Sequence, residues 1–363
     1  MKLAHLLGDL HHREFVYPTG NATAGLFLAL KALGLSGQNV GIPNIVCINV
    51  PLAVLASGNI PVYLDVDPEN PGLSLESLKN CPERLAAVVA VHAYGAPCRI
   101  EAIAAHCRQF GIKLIEDFAV AQGASVAGKP VGSFGDVSLV SFGAGKIIEQ
   151  GIGGALLTGD VTLIRSITEH GQRLPEFSPD RQERVEALMR YFKNLYNTYV
   201  DADLNAFWEA FSRKALASAE DFLHRFPDSQ EEAIVGKVLK LRENVERREA
   251  RAHELLGLLK DEGEALTPLL PPPGSVYWRF NVLVHEGRNA LLRRLIARGY
   301  PASSWYAPVD LFFRARAGRN ADLSAGDDIG AKILNLWVNS AVDDRYPAAV
   351  GVEIRDFLRA QTR

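Results

Sequence analysis

The feature that most constrains the fold is an alternation of short β-branched runs with amphipathic segments over residues 20–160. This alternation predicts βαβ units, and therefore a largely parallel sheet with helices on both faces. The predicted strands are Val40–Pro43, Pro61–Asp65, Ala86–Val91, Lys113–Glu116, Asp136–Phe142 and Gly154–Thr158. The predicted helices between them are Ala24–Leu33, Val50–Ala56, Leu75–Lys79 and Ile100–Phe110. We expect a ligand site at the carboxyl ends of these strands, where open α/β sheets bind their ligands.

A second part of the chain follows, because 363 residues exceed what one hydrophobic core usually supports. Residues after about 160 are rich in Glu, Arg, Leu and Ala and predict long helices at Gln182–Asn197 and Glu231–Leu259. The proline-rich stretch Pro268–Gly274 indicates a linker. Beyond it, an α+β unit is expected from Ser275–His285, Arg288–Arg298, Ile333–Val338 and Ala348–Gln361. We predict a large domain of residues 1–262, with a helical insert at 180–225 and a connecting helix at 231–259, and a small domain of residues 263–363.

The insert is rich in aromatic residues, namely Tyr191, Phe192, Tyr196, Tyr199, Phe207, Trp208 and Phe211. Aromatic residues at helical spacing most often form core, which is our prediction here, and a cover over a substrate is the alternative. The sequence leaves open whether the insert covers a site or enlarges a subunit interface.

Composition excludes several function classes. A net charge of −3 provides no strong field for nucleic acid or an anionic membrane, so a small-molecule ligand is expected. No apolar run reaches the roughly 18 residues of a membrane span, and Met1–Leu10 lacks the features of a secretory signal. The four cysteines lack metal-ligand spacing and are interpreted as free thiols with no metal site. We therefore expect a cytoplasmic protein.

Two polar residues at predicted strand ends carry the chemistry. Asp117 ends one strand, and Lys146 follows the strand that contains Ser141. Pyridoxal 5′-phosphate (PLP) requires this pair, because a carboxylate beside the pyridine nitrogen favours the protonated ring and a lysine forms the Schiff base. Such a lysine, once displaced by substrate, can also move the proton between the carbons that exchange the amino group.

A phosphate seat is predicted at Gly20–Ala24, directly before an apolar helix. Unpaired backbone N–H groups and the helix dipole favour a phosphate dianion at such a position. A Gly-Asn-Ala-Thr turn is by itself most often only a helix cap, and a lone Asp or Lys is most often a turn or solvated loop residue. The combination of seat, carboxylate and lysine supports the PLP interpretation.

With these residues, the chain resembles the DegT/DnrJ/EryC1/StrS group of sugar aminotransferases, which are fold-type I PLP-dependent enzymes. From about Tyr17 to Asp160 the matching residues keep the spacing of the family, and the resemblance continues more loosely to the C-terminus. The separations from Asp117 and from Ser141 to Lys146 are those of the family. The other matching pieces are Asn21–Ala24, Pro43-Asn44, Leu64–Pro68, Val91–Gly95, Ile115–Asp117, Gly132–Asp136, Ser141-Phe142 and Gly153-Gly154.

The resemblance implies the α/β fold of fold-type I PLP-dependent transferases. This fold has a mostly parallel seven-stranded sheet with helices on both faces, and a smaller C-terminal α+β domain. It implies that Lys146 forms the Schiff base and that Asp117 pairs with the pyridine nitrogen. The phosphate would be held by Ala22, Thr23, Ala24 and Ser141. It also implies a homodimer with active sites at the interface, and transfer of an amino group, typically from glutamate, to a keto sugar attached to a nucleotide.

The chain departs from the family at three places. Cys47 stands where a stacking aromatic residue is usual, so stacking is lost or supplied from elsewhere. Val120 replaces a Gln or His near the cofactor's ring oxygen, which removes a hydrogen bond worth about 0.5–1.5 kcal/mol. The segment that usually sends an Asn to the partner subunit's phosphate has only Leu223–Phe226 as its nearest match.

Four further residues are candidates for substrate contact: His92, Tyr94, Trp305 and Tyr306. Closing a turn after their strand is the equal alternative for His92 and Tyr94. Arg279 could pair with a substrate carboxylate, although we expect it to face solvent on a strand. Two rival functions stay open: a PLP enzyme of another class, such as a lyase, epimerase or cyclase on a non-sugar substrate, and a binding or regulatory protein that has lost catalysis.

Overall fold

A computed structural model describes residues 2–199, 205–313 and 322–361 of the chain. Its large sheet has seven strands in the spatial order β1-β9-β8-β5-β4-β2-β3. These strands are β1 (Phe15–Thr19), β2 (Asn39–Pro43), β3 (Ile60–Leu64), β4 (Ala87–Val91), β5 (Lys113–Asp117), β8 (Val137–Ser141) and β9 (Gly154–Thr158). β9 pairs antiparallel with both β1 and β8, and the other pairings are parallel. The predicted mostly parallel seven-stranded sheet is confirmed, with β1 as a strand that the sequence did not reveal.

Helices cover both faces of this sheet and bury its apolar residues. Those of the first half are α1 (Leu3–His11), α2 (Ala22–Ala32), α3 (Asn49–Ala56), α4 (Leu75–Lys79), α5 (Ile100–Phe110) and α6 (Val161–Gln172). A short hairpin, β6 (Ser125–Val126) and β7 (Lys129–Pro130), follows β5. The central strand β4 is buried along its whole length, as expected for a strand covered on both sides.

The second half is helical at first and then builds a smaller antiparallel sheet. The helices are α7 (Pro179–Tyr199), α8 (Asn205–Ala217), α9 (Glu231–Val238), α10 (Leu241–Leu259), α11 (Arg288–Ala297), α12 (Ser324–Lys332) and α13 (Tyr346–Gln361). The small sheet has the order β10 (Leu266–Pro268), β11 (Phe280–Val284), β13 (Ile333–Leu336) and β12 (Ala302–Ser303). α10 packs against α13, and its apolar face joins the core of this sheet. The domain boundary at residues 262 and 263 remains a prediction.

The prediction of a single connecting helix at Glu231–Leu259 was wrong, because the structure has two helices there, α9 and α10. α9 ends at Val238, and the N–H of Lys240 donates to the carbonyl of Lys237, three residues earlier instead of the four of an α-helix. α10 begins at the next residue, Leu241. Leu239 is left 63% exposed, so the break forfeits little apolar burial. The new direction lets Asn244 and Arg248 of α10 reach the loop after β8.

The insert packs mainly as core. Phe192 and Phe211 are buried, and their rings lie 5.1 Å apart, with Phe312 in edge contact with both. This is the expected core role, while the side chains of Tyr196, Tyr199, Phe207 and Trp208 lie outside the described part of the structure. In the described ranges, no helix is both long and apolar enough to cross a membrane.

Candidate active site

A cavity of about 280 Å³ lies at the carboxyl ends of β5 and β8. This volume is near the lower limit of small-molecule pockets, roughly 300–1,000 Å³. The residues expected at the site that line it are Ala22, Thr23, Cys47, Asp117, Ser141, Lys146, Trp305 and Tyr306. The fold therefore gathers residues that are far apart in the chain around one space.

One end of the cavity is the first turn of α2. The Asn21 side chain caps this helix by accepting a hydrogen bond from the N–H of Ala24 at 2.8 Å. The first helical bond runs from Gly25 to the Asn21 carbonyl, so the N–H groups of Ala22 and Thr23 precede it and have no partner in the described part of the chain. Ala22 and Thr23 thus present two donors at a positive helix end, which suits an anion. Ala24 differs from expectation, because the cap uses its N–H and its side chain is fully buried.

The cap is itself fixed by the segment that follows the insert. The Asn21 amide donates to the Phe222 carbonyl at 2.8 Å and to the His224 ring at 3.3 Å. The stretch Leu223–Phe226, interpreted from the sequence as the nearest match to a segment that reaches a partner's phosphate, therefore places His224 against the phosphate seat of its own chain. Ser141 adds a hydroxyl to the cavity from the end of β8.

Asp117 and Lys146 both line the cavity and form no ion pair with each other. Asp117 is 6% exposed, and its Oδ1 accepts from the N–H of Ala119 at 2.9 Å. Burial raises the pKa of Asp117, while that N–H and the charge of Lys146 act in the opposite direction. A carboxylate and an amine on the wall of one cavity of about 280 Å³ are the groups that PLP requires, so these residues fit PLP.

The loop that carries Lys146 is held by three hydrogen bonds to successive carbonyls. The Trp278 indole donates to Gly145 at 2.6 Å, Arg248 donates to Lys146 at 3.3 Å, and Asn244 donates to Ile147 at 2.6 Å. Gly145 has φ of +76°, a conformation that glycine adopts without strain. The position of Lys146 is thus set from outside its own loop.

Aromatic rings form another wall of the cavity. Trp278 and Tyr306 lie nearly parallel, 6.0 Å apart, and both line the cavity together with Trp305. Tyr94 does not line it; its hydroxyl accepts from the N–H of Tyr306 at 3.0 Å, and so Tyr94 supports the wall from behind. Burial raises the pKa of Cys47, so its thiol stays neutral at the cavity surface.

Three residues lie elsewhere than the sequence suggested. His92 is fully buried away from the cavity, where it donates to Glu116 and its Nδ1 accepts from the N–H of Cys98. Val120 is buried in the core and does not line the cavity. Arg279 is 4% exposed and so does not face solvent as expected.

Glu116 and Asp117 point to opposite faces of β5, as adjacent residues of a strand do. On its own face, the buried Glu116 carboxylate accepts five hydrogen bonds, from His92 Nε2, the N–H groups of Gly132, Phe134 and Gly135, and the Ser138 hydroxyl. Burial alone would raise the pKa of Glu116, but these donors outweigh it and lower the pKa to about 2. This cluster fixes the segment between the hairpin and β8, together with the start of β8.

Replacing Glu116 with glutamine is expected to lower the free energy of unfolding by about 3–5 kcal/mol at neutral pH, because one partner of a buried charged cluster is removed. The depressed pKa means that this stabilisation is complete above the ordinary value of 4.5 and is lost as pH falls toward 2. Urea unfolding at several pH values should show the deficit shrinking below pH 4.5. Glu76→Gln, at an exposed position, is the control, and an E116Q deficit that does not change with pH would contradict the assignment.

The sequence left open whether the insert covers a site, and part of α7 lines the cavity. Its lining residues are Gln182, Val185, Glu186 and Met189, which lie on one helix face. The insert therefore covers the site as well as packing as core. Their 3–4–7 spacing was visible in the sequence, but nothing in it distinguished a face toward a cavity from one toward core.

Comparisons with known proteins identify the family to which this chain is similar. The family model of the DegT/DnrJ/EryC1/StrS aminotransferase family matches residues 1–354. A dTDP-4-dehydro-2,3,6-trideoxy-D-glucose 4-aminotransferase of Saccharopolyspora spinosa is 29% identical over 98% of this chain and 86% of its own length. An L-glutamine:scyllo-inosose aminotransferase of Streptomyces griseus is 37% identical over 44% of this chain and 38% of its own.

A solved structure supports the fold. NtdA from Bacillus subtilis, crystallised with bound cofactor PMP, superposes with a TM-score of 0.70 over 98% of this chain and 76% of that one, at 18% identity.

Proposed function

Because this chain belongs to the DegT/DnrJ/EryC1/StrS aminotransferase family, we propose that it binds PLP at Lys146 and transfers an amino group from an amino acid, glutamate by family precedent, to a keto sugar. The observation that carries this proposal is the convergence of Lys146, Asp117 and the start of α2 on one cavity. The acceptor we propose is a nucleotide-linked keto sugar, as for the relative from Saccharopolyspora spinosa, whose name specifies a dTDP-linked sugar.

The chain's own residues divide the work. When bound, the cofactor carries the amino group and withdraws electrons from the reacting carbon. Ala22, Thr23 and Ser141 would hold its phosphate, and Lys146 would bind it covalently through Nζ. The Asp117 carboxylate would pair with the ring nitrogen and keep it protonated, because an adjacent opposite charge favours the charged form of both partners.

Lys146 has a second role once substrate has taken its place. Its free Nζ would accept and return the proton at the reacting carbon, as a positioned general base and acid. The three hydrogen bonds to its loop fix the backbone from which the lysine side chain extends. The rings of Trp278, Trp305 and Tyr306 would exclude water and offer the flat surface that Cys47 does not provide.

The proposal is tested by mixing the purified PLP-loaded protein with L-glutamate. We expect the absorption of the lysine-bound cofactor to convert to that of the pyridoxamine form, since the amino group is transferred in the first half of the reaction. Absorption spectroscopy follows the change, and adding keto acceptors to the product should reverse it. D-glutamate is the control. A spectrum that persists with L-glutamate would favour a lyase, epimerase or cyclase on a non-sugar substrate instead.

A homodimer with the active sites at its interface is part of the proposal. This part of the proposal rests on family precedent. Light scattering of the holoprotein would measure the mass.

A further inference from the structure

Arg279 is a buried cation whose charge has no ionised partner within the described residues. It is 4% exposed, and the rings of Trp278 and Trp337 lie on it at 4.8 and 4.2 Å. Its Nη1 donates to the Trp278 carbonyl at 3.1 Å, while Nη2 has no partner among the residues that the structure describes. Buried charges are ordinarily paired, so this arrangement points to an anion that is supplied from outside the chain.

The neighbourhood strengthens this conclusion. Burial lowers the pKa of Arg279 to about 10, which leaves the guanidinium charged at neutral pH. Arg248 lies close enough that its own pKa is lowered first by burial and then by the charge of Arg279. Among acidic groups, the charge of Glu149 has the largest effect on the pKa of Arg279 and raises it. Glu149 is exposed, however, and forms no ion pair with Arg279 in the described structure. Two adjacent cations without a paired carboxylate favour binding of an anion over burial in isolation.

Two edges of the guanidinium have different surroundings. The buried Nε has no partner in the described residues, and Arg279 lines a space of about 20 Å³ that Asn70 also lines. A space of that size holds about one water molecule, so a substrate does not fit there. The Nη2 edge instead lies beside Gly145: a Cβ built on that glycine would be 3.7 Å from Nη2.

Gly145 immediately precedes Lys146 and lines the cofactor cavity. We propose that Arg279 binds the α-carboxylate of the amino donor through its Nη2 edge. The inference rests on the proposed function, in which the donor's amine reacts beside Lys146. An α-carboxylate is attached to the same carbon as that amine, so it must lie within a few ångströms of the reacting centre.

The chemistry of the two groups matches. A planar guanidinium recognises a planar carboxylate with directed hydrogen bonds, whereas an ammonium acts only as a point charge. The flanking indole rings of Trp278 and Trp337 fix the plane of Arg279 before any ligand arrives. Arg279 would thus select amino acids, which carry an α-carboxylate, over simple amines as donors.

The test compares Arg279→Gln with the parent holoprotein, using L-glutamate and L-glutamine as probes that share the α-carboxylate but differ in side-chain charge. Stopped-flow absorption gives the half-saturating concentration of each. We expect R279Q to raise both by about 10²-fold, as for loss of one partner of a buried charged pair, and R279K to raise them less. PLP affinity should change by less than about threefold, because the cation does not hold the cofactor.

Arg251→Gln is the matched control. Arg251 is also a buried arginine, but it pairs with Asp344 and Asn339 away from the cavity, so its loss should leave both half-saturating concentrations unchanged. If R279Q binds both amino acids as the parent does, or loses PLP affinity in proportion, the inference is overturned. If only L-glutamate is affected, Arg279 serves the side-chain carboxylate and the α-carboxylate assignment is wrong. A parent protein that responds to neither amino acid overturns the proposed function as well.

Discussion

Replacing Lys146 with alanine is expected to abolish the visible absorption of lysine-bound PLP and to lower amino transfer by at least about 10³-fold. The substitution removes both the covalent link and the positioned base, each of which contributes a large factor. The backbone contacts of this loop use carbonyls of residues 145–147 and do not involve the lysine side chain, so the fold should persist. Absorption spectra, single-turnover rates with L-glutamate and circular dichroism measure the three effects.

Two variants make this result specific. Lys146→Arg keeps a positive charge near Asp117 but cannot form the covalent link, so it should be as inactive as K146A. Lys240→Ala removes an exposed lysine of the neighbouring surface and should leave the spectrum and rate unchanged. An unaltered visible band in K146A would show that another lysine binds the cofactor.

The second large effect is expected from Asp117→Asn. Asparagine keeps the shape and can still accept the Ala119 N–H through its Oδ1, but it lacks the charge that would keep the ring nitrogen protonated. We expect the maximal rate with L-glutamate to fall by about 10²–10³-fold, while PLP still binds through Lys146 and the phosphate seat. Single-turnover kinetics and PLP titration separate the two quantities.

Asp136→Asn is the control for D117N, because Asp136 is a partly exposed aspartate whose Oδ2 accepts from the Leu114 N–H at the opposite end of β5. Its rate should equal that of the parent. If D117N retained the full rate but lost PLP affinity, the carboxylate would serve to hold the cofactor and not to maintain its charge.

The α/β architecture was predictable because its signals are local. Six strands of the large sheet were identified to within a residue or two, since buried parallel strands form β-branched runs between helices. The site residues Asp117, Ser141 and Lys146 and the Asn21–Ala24 turn could also be predicted, because their spacing is local. Of the cofactor-facing residues expected on these segments, all except Ala24 line the cavity.

Other placements depended on contacts between distant segments. β1 is short and contains Pro18, which weakens a strand prediction, and it forms a strand by pairing with β9. His92 directly follows β4, where a site residue is expected, but its ring donates a hydrogen bond to Glu116 of β5 and is buried away from the cavity. Arg279 has the sequence context of an exposed strand residue, and only the packing of Trp278 and Trp337 buries it.

The sequence alone determined six of the seven strands of the large sheet and which groups stand at the carboxyl ends of those strands, because backbone periodicity and short loops encode both within a few residues. Tertiary structure decided which of those groups share a cavity, that α7 closes it, and that a lone guanidinium lies beside the lysine loop. These depend on burial and on partners supplied by remote parts of the chain, and no local pattern records the free energy of such contacts.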